Sequence, residues 1–321
     1  MLGLIEITPW HWAGFILLVL VGIAVDMGAF QTRPRTVTFR EALLWSGLWF
    51  ALALAFGGLM LWLRGREEGV EFFTGYLLEL SLSLDNVLVI ALMFAAFQVA
   101  PELQRRVLVW GLFGAVALRG LLIGVGAGLV HQFGWVLYVF GGFLVFTGVK
   151  MMFAGKATVE PEKNPLLRLA RRVFPVSPGL DGQKFFTRLN GRLMLTPLAL
   201  VLLLVESADL IFAVDSVPAV FSVTQKAFIV FTSNVFAILG LRSLYFLLAG
   251  AIGLFRYLKA GLAVVLIFVG VKMLLDPHGA ARAWYQIQIP TLASLLVVLG
   301  ILAAAISASL LAARRGTEES R

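Results

Sequence analysis

Apolar residues run in long blocks, separated by short breaks marked by charge, proline or glycine, and each block is long enough for one helical crossing of a bilayer, which takes about 20 residues. The blocks predict nine spans, at 11–30, 41–63, 72–97, 106–130, 133–153, 194–222, 227–253, 259–275 and 290–313. No basic segment precedes the first span, whose only upstream charge is Glu6, and no cleavage site follows it, so it reads as a retained helix rather than a signal peptide. The expected fold class is an all-α membrane protein with about nine transmembrane helices.

Composition agrees with the pattern. Of 321 residues, 60% are hydrophobic and 14% charged, against about 25% charged in soluble chains, and the mean hydropathy is +0.94. A water-soluble enzyme is excluded. Cysteine is absent, which removes disulfides, thiolate metal sites and dithiol redox centres. The three histidines, His11, His131 and His278, fall in or beside predicted loops, so a metal site has to be built from oxygen.

The distribution of the 26 Lys and Arg predicts orientation. With the N-terminus outside, 18 of them fall in inside loops and tails and 4 in outside loops, Arg64, Arg66, Lys226 and Arg282. That asymmetry predicts an N-out, C-in protein of the bacterial cytoplasmic membrane, and it explains the net charge of +8 without nucleic acid. Arg119, Arg242, Lys150 and Lys272 lie within spans or at their ends, where snorkelling is expected of the two lysines. The inside segment 154–193 reads as a solvated basic linker, although Asn164-Pro165 could start a short helix with opposed apolar and Arg faces, as in a helix lying on anionic lipid.

The chain also resembles itself. Phe143–Met152 matches Val265–Leu274, Arg119 precedes Lys150 by 31 residues as Arg242 precedes Lys272 by 30, and Glu79 with Asp85-Asn86 matches Asp209 with Asp215-Ser216. Each unit holds three spans, so the second enters the membrane from the opposite side. Inverted repeats of this kind mark secondary transporters, with the substrate site near the midplane; a duplicated scaffold is the alternative. The expected organisation is two N-terminal helices (1–71), a first repeat (72–153), the linker (154–193), a second repeat (194–275) and a last helix with its tail (276–321).

Twelve of the 18 acids, Glu67, Glu68 and Glu71 among them, are expected in loops or termini; Asp26, Glu79, Asp85, Glu206, Asp209 and Asp215 lie within spans. One Asp at the centre of a span costs about 2.5–3.5 kcal/mol to insert unless it is paired, protonated or metal-bound. On a helix Glu79, Ser83 and Asn86 share a face, as do Asp209 and Ser216, with Glu206 on the same side. Asp85 and Asp215 lie about 100° round and would join most readily if the helix is kinked or locally unwound, a break that Pro218 is expected to supply beside Asp215. Asp26 reads as interfacial. Carboxylate, amide and hydroxyl oxygens suit a hard divalent cation: Mn²⁺, Mg²⁺ or Ca²⁺. Five acids against Arg119 and Arg242 leave −3, which one divalent ion and one proton would neutralise; the plainer alternative makes these arginines structural partners of acids between helices.

Around Val205-Glu206-Ser-Ala-Asp209-Leu-Ile-Phe-Ala-Val-Asp215-Ser216-Val-Pro218, Phe228–Phe246 and Glu79–Asn86 the chain resembles the TerC family, particularly its Alx-type members, and through it the LysE-like exporters. The resemblance, over about residues 72–275, implies manganese efflux, pH-linked responses and tellurium resistance, the last fitting poorly with a chain that has no cysteine. The resulting expectation is an Mn²⁺ exporter and not an enzyme, with no permanent cofactor, whose partners are the cation, protons and the bilayer. Glu79, Asp85, Asp209 and Asp215 are the expected ligands or proton acceptors, Asn86 and Ser216 neutral ligands, Glu206 a neighbour, and Arg119 and Arg242 the balancing charges. A membrane scaffold, or an exporter of an organic cation or amino acid, is the alternative, and homo-oligomerisation is open.

Overall fold

The computed structural model describes residues 7–28, 38–153, 164–189, 191–248, 257–276 and 286–318. Among them are ten α-helices and one β-hairpin: α1 (Pro9–Gly28), α2 (Phe39–Arg64), α3 (Arg66–Ala96), α4 (Pro101–Gln132), α5 (Val136–Phe153), α6 (Pro165–Val173), β1 (Phe186–Leu189), β2 (Arg192–Leu195), α7 (Pro197–Phe221), α8 (Ala227–Leu248), α9 (Leu258–Leu275) and α10 (Thr291–Glu318). Eight of the helices, α2–α5 and α7–α10, are long and apolar enough to cross a membrane, and α1 contributes a shorter apolar stretch, Pro9–Val25. The chain is an all-α, multi-pass membrane protein.

Local chemistry sets the helix ends. Gly65, at φ +91°, is the single residue joining α2 to α3, a conformation that favours glycine. Pro101 and Pro197 open α4 and α7 at the position where a missing N–H costs nothing, and the Thr196 hydroxyl caps α7 by accepting the Ala199 N–H at 3.3 Å.

Burial orders the helices. In α8, 78% of the apolar window is buried, against 22% in α2 and α10, so α8 is central and the other two are peripheral. Helix α3 packs on α8, α4 on α7 and α5 on α9, while α2 covers α3 and α8 and α10 covers α9 and α3. The α5–α9 crossing depends on small residues, because lipid offers no hydrophobic drive and contact must come from close backbone approach. A Cβ at Gly270 would lie 2.7 Å from the Gly141 carbonyl oxygen, one at Gly141 3.0 Å from that of Gly270, and one at Gly148 2.8 Å from that of Ala263. Aligning Lys150 with Lys272 matches Gly148 to Gly270 and Gly141 to Ala263, so the Gly141–Gly270 and Gly148–Ala263 contacts exchange with each other.

Two sets of contacts fix helix direction. At one end Thr224 and Lys226, just after α7, meet Glu71 near the start of α3, so α3 and α7 run antiparallel. At the other, Arg106 near the start of α4 donates to Gln183 Oε1 at 3.2 Å. This second end carries α6, the short helix that Asn164-Pro165 could start, and a hairpin that the sequence reading did not include. There the Asp181 carboxylate accepts from the Thr187 hydroxyl at 2.8 Å and from Lys184 Nζ at 3.0 Å, and these contacts hold it below the usual carboxylate range.

Three expectations need correction. Glu68 and Glu71 are not loop residues: α3 begins at Arg66 and both are buried, Glu68 paired with Arg64 at 2.6 Å and both acids with Lys226 at 3.3 and 3.2 Å. Partial burial pulls Lys226 down, but Glu71 and Glu68 outweigh it and hold its ammonium above the usual lysine range, so the clamp persists below the ordinary value of 10.5 and weakens only as pH rises through the higher folded value. Lys272 does not snorkel. It is buried and donates to the Ser222 carbonyl at 3.4 Å, because its span ends against the α7–α8 turn instead of lipid headgroups. Pro218 does not unwind α7, which stays helical to Phe221; so near the end, proline removes only one ladder bond.

Replacing Gly270 with Val should lower stability by about 1–3 kcal/mol, the usual cost of overpacking, seen as an earlier thermal transition of the purified protein. Gly300→Val, on α10 where a Cβ meets nothing within 4 Å, should leave the transition in place.

Candidate functional site

Arg119 is the largest side chain buried to under 2% exposure, and it sits in the middle of α4. Its guanidinium is ion-paired with Glu79 of α3 through Nη1, and Nη2 donates to Asp209 Oδ1 of α7 at 3.3 Å. Nη1 also donates to Ser216 Oγ of α7 at 3.1 Å and to Asn234 Oδ1 of α8 at 2.9 Å. Asn234 in turn donates through Nδ2 to the Val230 carbonyl at 3.2 Å. One side chain thus ties α4 to polar groups from three other helices. Such a pair persists in a low-dielectric interior only because each desolvated charge has partners.

A second polar group lies beside this network. Asp85 and Asn86 of α3 and Asp215 of α7 line one cleft of about 210 Å³ with Thr147 and Lys150 of α5, walled by Leu82, Phe212 and Leu266. Both aspartates are only partly buried, whereas Glu79 is fully buried. On the same stretch of α3, Ser83 Oγ and Asn86 Nδ2 are buried without a hydrogen-bond partner among the described residues. Buried polar atoms of that kind require water or a polar solute as their complement. Asp85 also borders a smaller recess with Lys259, Leu248 and Leu258.

The structure therefore sorts the expected site residues into groups. Glu79, Asp209, Ser216 and Arg119 form the network; Asp85, Asn86 and Asp215 face the cleft. Glu206 sits about one helical turn before Asp209 and rests its carboxylate directly on Gly114 of α4, where an added Cβ would force the carboxylate to move. Arg242 borders Asp209 from the other side, in a recess lined by Val205, Ile238 and Tyr245. Asp26 is on α1, and its side chain lies outside the described residues. Among the described residues no three His, Asp or Glu side chains converge as a metal cluster, so a cation in this conformation would meet two carboxylates with amide and hydroxyl oxygens. The sequence reading missed Asn234, Thr147 and a site role for Lys150. Thr232-Ser233-Asn234, three polar residues in a row inside an apolar span, was the available signal for the first.

Fold and site together define a polytopic membrane protein whose charged groups are held at the centre of its helix bundle. The chain belongs to the TerC family of integral membrane proteins, whose family model matches residues 64–317. It is 48% identical over 307 residues to a Myxococcus xanthus membrane protein, covering 96% of this chain and 94% of that one. It is also 46% identical over 304 residues, 92% of each chain, to the Escherichia coli (strain K12) protein named as a membrane-bound redox modulator, Alx, and 36% identical over 295 residues to a Rickettsia bellii membrane protein. No solved structure matches the fold.

Removing Arg119 leaves Glu79 and Asp209 buried and uncompensated, so Arg119→Gln should destabilise the protein by about 3–5 kcal/mol. Glu79→Gln added to it should recover part of that loss. Thermal unfolding of both variants checks this; a double variant less stable than the single one would show that the pair is not the main support.

Proposed function

We propose that the chain exports a divalent cation, Mn²⁺ in the first instance, by proton-coupled alternating access at the Asp85–Asp215 cleft. The observation that carries this reading is the placement of two partly exposed aspartates, from antiparallel helices, in one cleft beside a fully buried charge network. The polar lining is mainly oxygen, from Asp85, Asp215, Asn86 and Thr147 with Lys150 and Met151 beside them, and two carboxylates favour Mn²⁺, Mg²⁺ or Ca²⁺ over softer ions. Family membership and the resemblance to manganese exporters favour Mn²⁺ among them.

The mechanism follows from the division of labour among the acids. Asp85 and Asp215 take the cation, with Asn86 and Thr147 offering neutral oxygen and water completing the shell. The Arg119 network ties α3, α4, α7 and α8 together, so movement of α3 against α7 around it can change which end of the cleft is open. The exchange of Gly141–Gly270 for Gly148–Ala263 supports an inverted pair of three-helix units, the arrangement that such movement uses. Expelling a dication against an inside-negative potential costs about 2.3 kcal/mol per charge per 100 mV. Protons returning on the same carboxylates offset that cost, since a ligand must lose its proton to bind metal. Orientation follows the basic residues: the end bearing α6 and the hairpin is cytoplasmic and the Lys226 end external, in the bacterial inner membrane. The redox name belongs to the Alx relatives; this chain has no thiol with which to do dithiol chemistry.

In inverted membrane vesicles, Mn²⁺ uptake should depend on an imposed pH gradient and should fall to background in Asp85→Asn and in Asp215→Asn at unchanged protein level. Gradient-independent behaviour of both variants, equal to the unaltered protein, would instead favour a scaffold. Because the chain contains no cysteine, Gln183→Cys and Gln225→Cys each carry a single label site. An impermeant maleimide should reach Gln225→Cys from the external side of intact cells and Gln183→Cys only from the cytoplasmic side; labelling of both from one side would remove the inverted arrangement.

A further inference from the structure

An apolar groove of about 650 Å³ lies at the hairpin end, far from the charge network, between α6, the hairpin and the flanks of α4 and α7. Its lining includes Trp110, Leu169, Val173, Phe186, Leu195 and Leu202. Several of these are large and exposed, Leu169 at 57%, Val173 at 62%, Phe186 at 51% and Trp110 at 50%, so the concavity is open to its surroundings rather than filled by the protein.

Two features define what fits. The first is α6. At 100° per residue its Leu166, Leu169, Ala170 and Val173 span about 100° of arc, while Arg168, Arg171 and Arg172 occupy the opposite side and Arg172 flanks Leu169. Leu167, buried to 2%, pins the helix to the bundle, and Asn164 caps it by accepting the Leu166 and Leu167 N–H groups at 2.9 and 3.1 Å. The second is the hairpin. The pairs Phe186↔Leu195 and Arg188↔Leu193 put Arg188 on the same sheet face as the groove-lining Phe186 and Leu195, two residues along the strand. Across residues 164–196 there are six Lys or Arg and a single acid, Asp181, already held by Lys184 and Thr187. The occupant must be apolar along its length and anionic at one end. The adjoining segment 154–163, Ala-Gly-Lys-Ala-Thr-Val-Glu-Pro-Glu-Lys, has only Val159 to offer as a bulky aliphatic group and cannot serve.

We propose that this groove binds an anionic phospholipid of the adjacent leaflet, with an acyl chain under α6 against Trp110 and the phosphate between Arg172 and Arg188. The site is independent of the transport reading. Its occupant would rest on Ala199, Leu202 and Leu203, in the first two turns of the helix that carries Asp209 and Asp215.

Trp110 is a built-in probe. The full chain is reconstituted into bilayers containing phosphatidylglycerol or phosphatidylcholine brominated on the acyl chain, and the Trp110 contribution is taken as the difference from Trp110→Phe. Trp135, exposed near the opposite end, is isolated likewise and reports ordinary surrounding lipid. Half-quenching of Trp110 should need several-fold less brominated phosphatidylglycerol than phosphatidylcholine, with no such preference at Trp135. Loss of both Arg172 and Arg188 to Gln should abolish the preference, and loss of either one alone should reduce it by up to about five-fold. Equal quenching of Trp110 by both lipids, a preference that survives in the double variant, or an unquenched Trp110 shielded by a second copy or another protein would each overturn the proposal.

Discussion

The buried guanidinium of Arg119 is the constraint on which the remainder of this bundle depends. A cation in the middle of a membrane helix is affordable only with counter-charges close by, and here they come from α3 and α7, with a hydroxyl and an amide from α7 and α8. The same contact that satisfies the arginine fixes the rotation of four helices about their axes. Once Glu79 and Asp209 face Arg119, the helical turn places Asp85 and Asp215 on neighbouring faces, where they look into the cleft and not into the network.

Small residues make that arrangement sterically feasible. Gly114 gives room for the Glu206 carboxylate on α4, and Gly141, Gly148 and Gly270 let α5 and α9 touch backbone to backbone. The tight α5–α9 contact and the α3–α8 and α4–α7 pairs hold α3, α4 and α5 against α7, α8 and α9. The polar clamp at the far end, Glu68 and Glu71 with Lys226, ties the start of α3 to the turn after α7 and so fixes their opposed directions. Charge at the centre, glycine at the crossings and ion pairs at the rim therefore constrain the same two helices.

Against this frame, the redox label carried by the Alx relatives and the transport reading make different demands on the chain. Dithiol redox chemistry needs thiols, which are absent, whereas cation transport needs carboxylates that are reachable as well as buried, and Asp85 and Asp215 are partly exposed while Glu79 is not.

Hydrophobic block length fixed the all-helical, membrane-spanning class, because a backbone in lipid must satisfy its hydrogen bonds within each segment. The intramembrane acids and the two arginines were visible from composition too, since charge is rare in such spans and stands out by its cost. Periodicity could say which acids share a helical face: it set Asp85 and Asp215 apart from Glu79 and Asp209, but it grouped Asn86 with Glu79, whereas Asn86 lines the cleft with Asp85. It could not say which helix the opposing charge would come from, because pairing across 90 or more residues depends on how helices pack. For the same reason Asn234, Thr147 and the burial of Lys272 were decided only in three dimensions: each is polar within an apolar span, and only the neighbour it meets determines whether it serves the site, the cleft or a turn. The hairpin and the groove beneath α6 were likewise beyond reach, as four-residue strands carry too little pattern to read and a groove exists only between elements that the chain brings together.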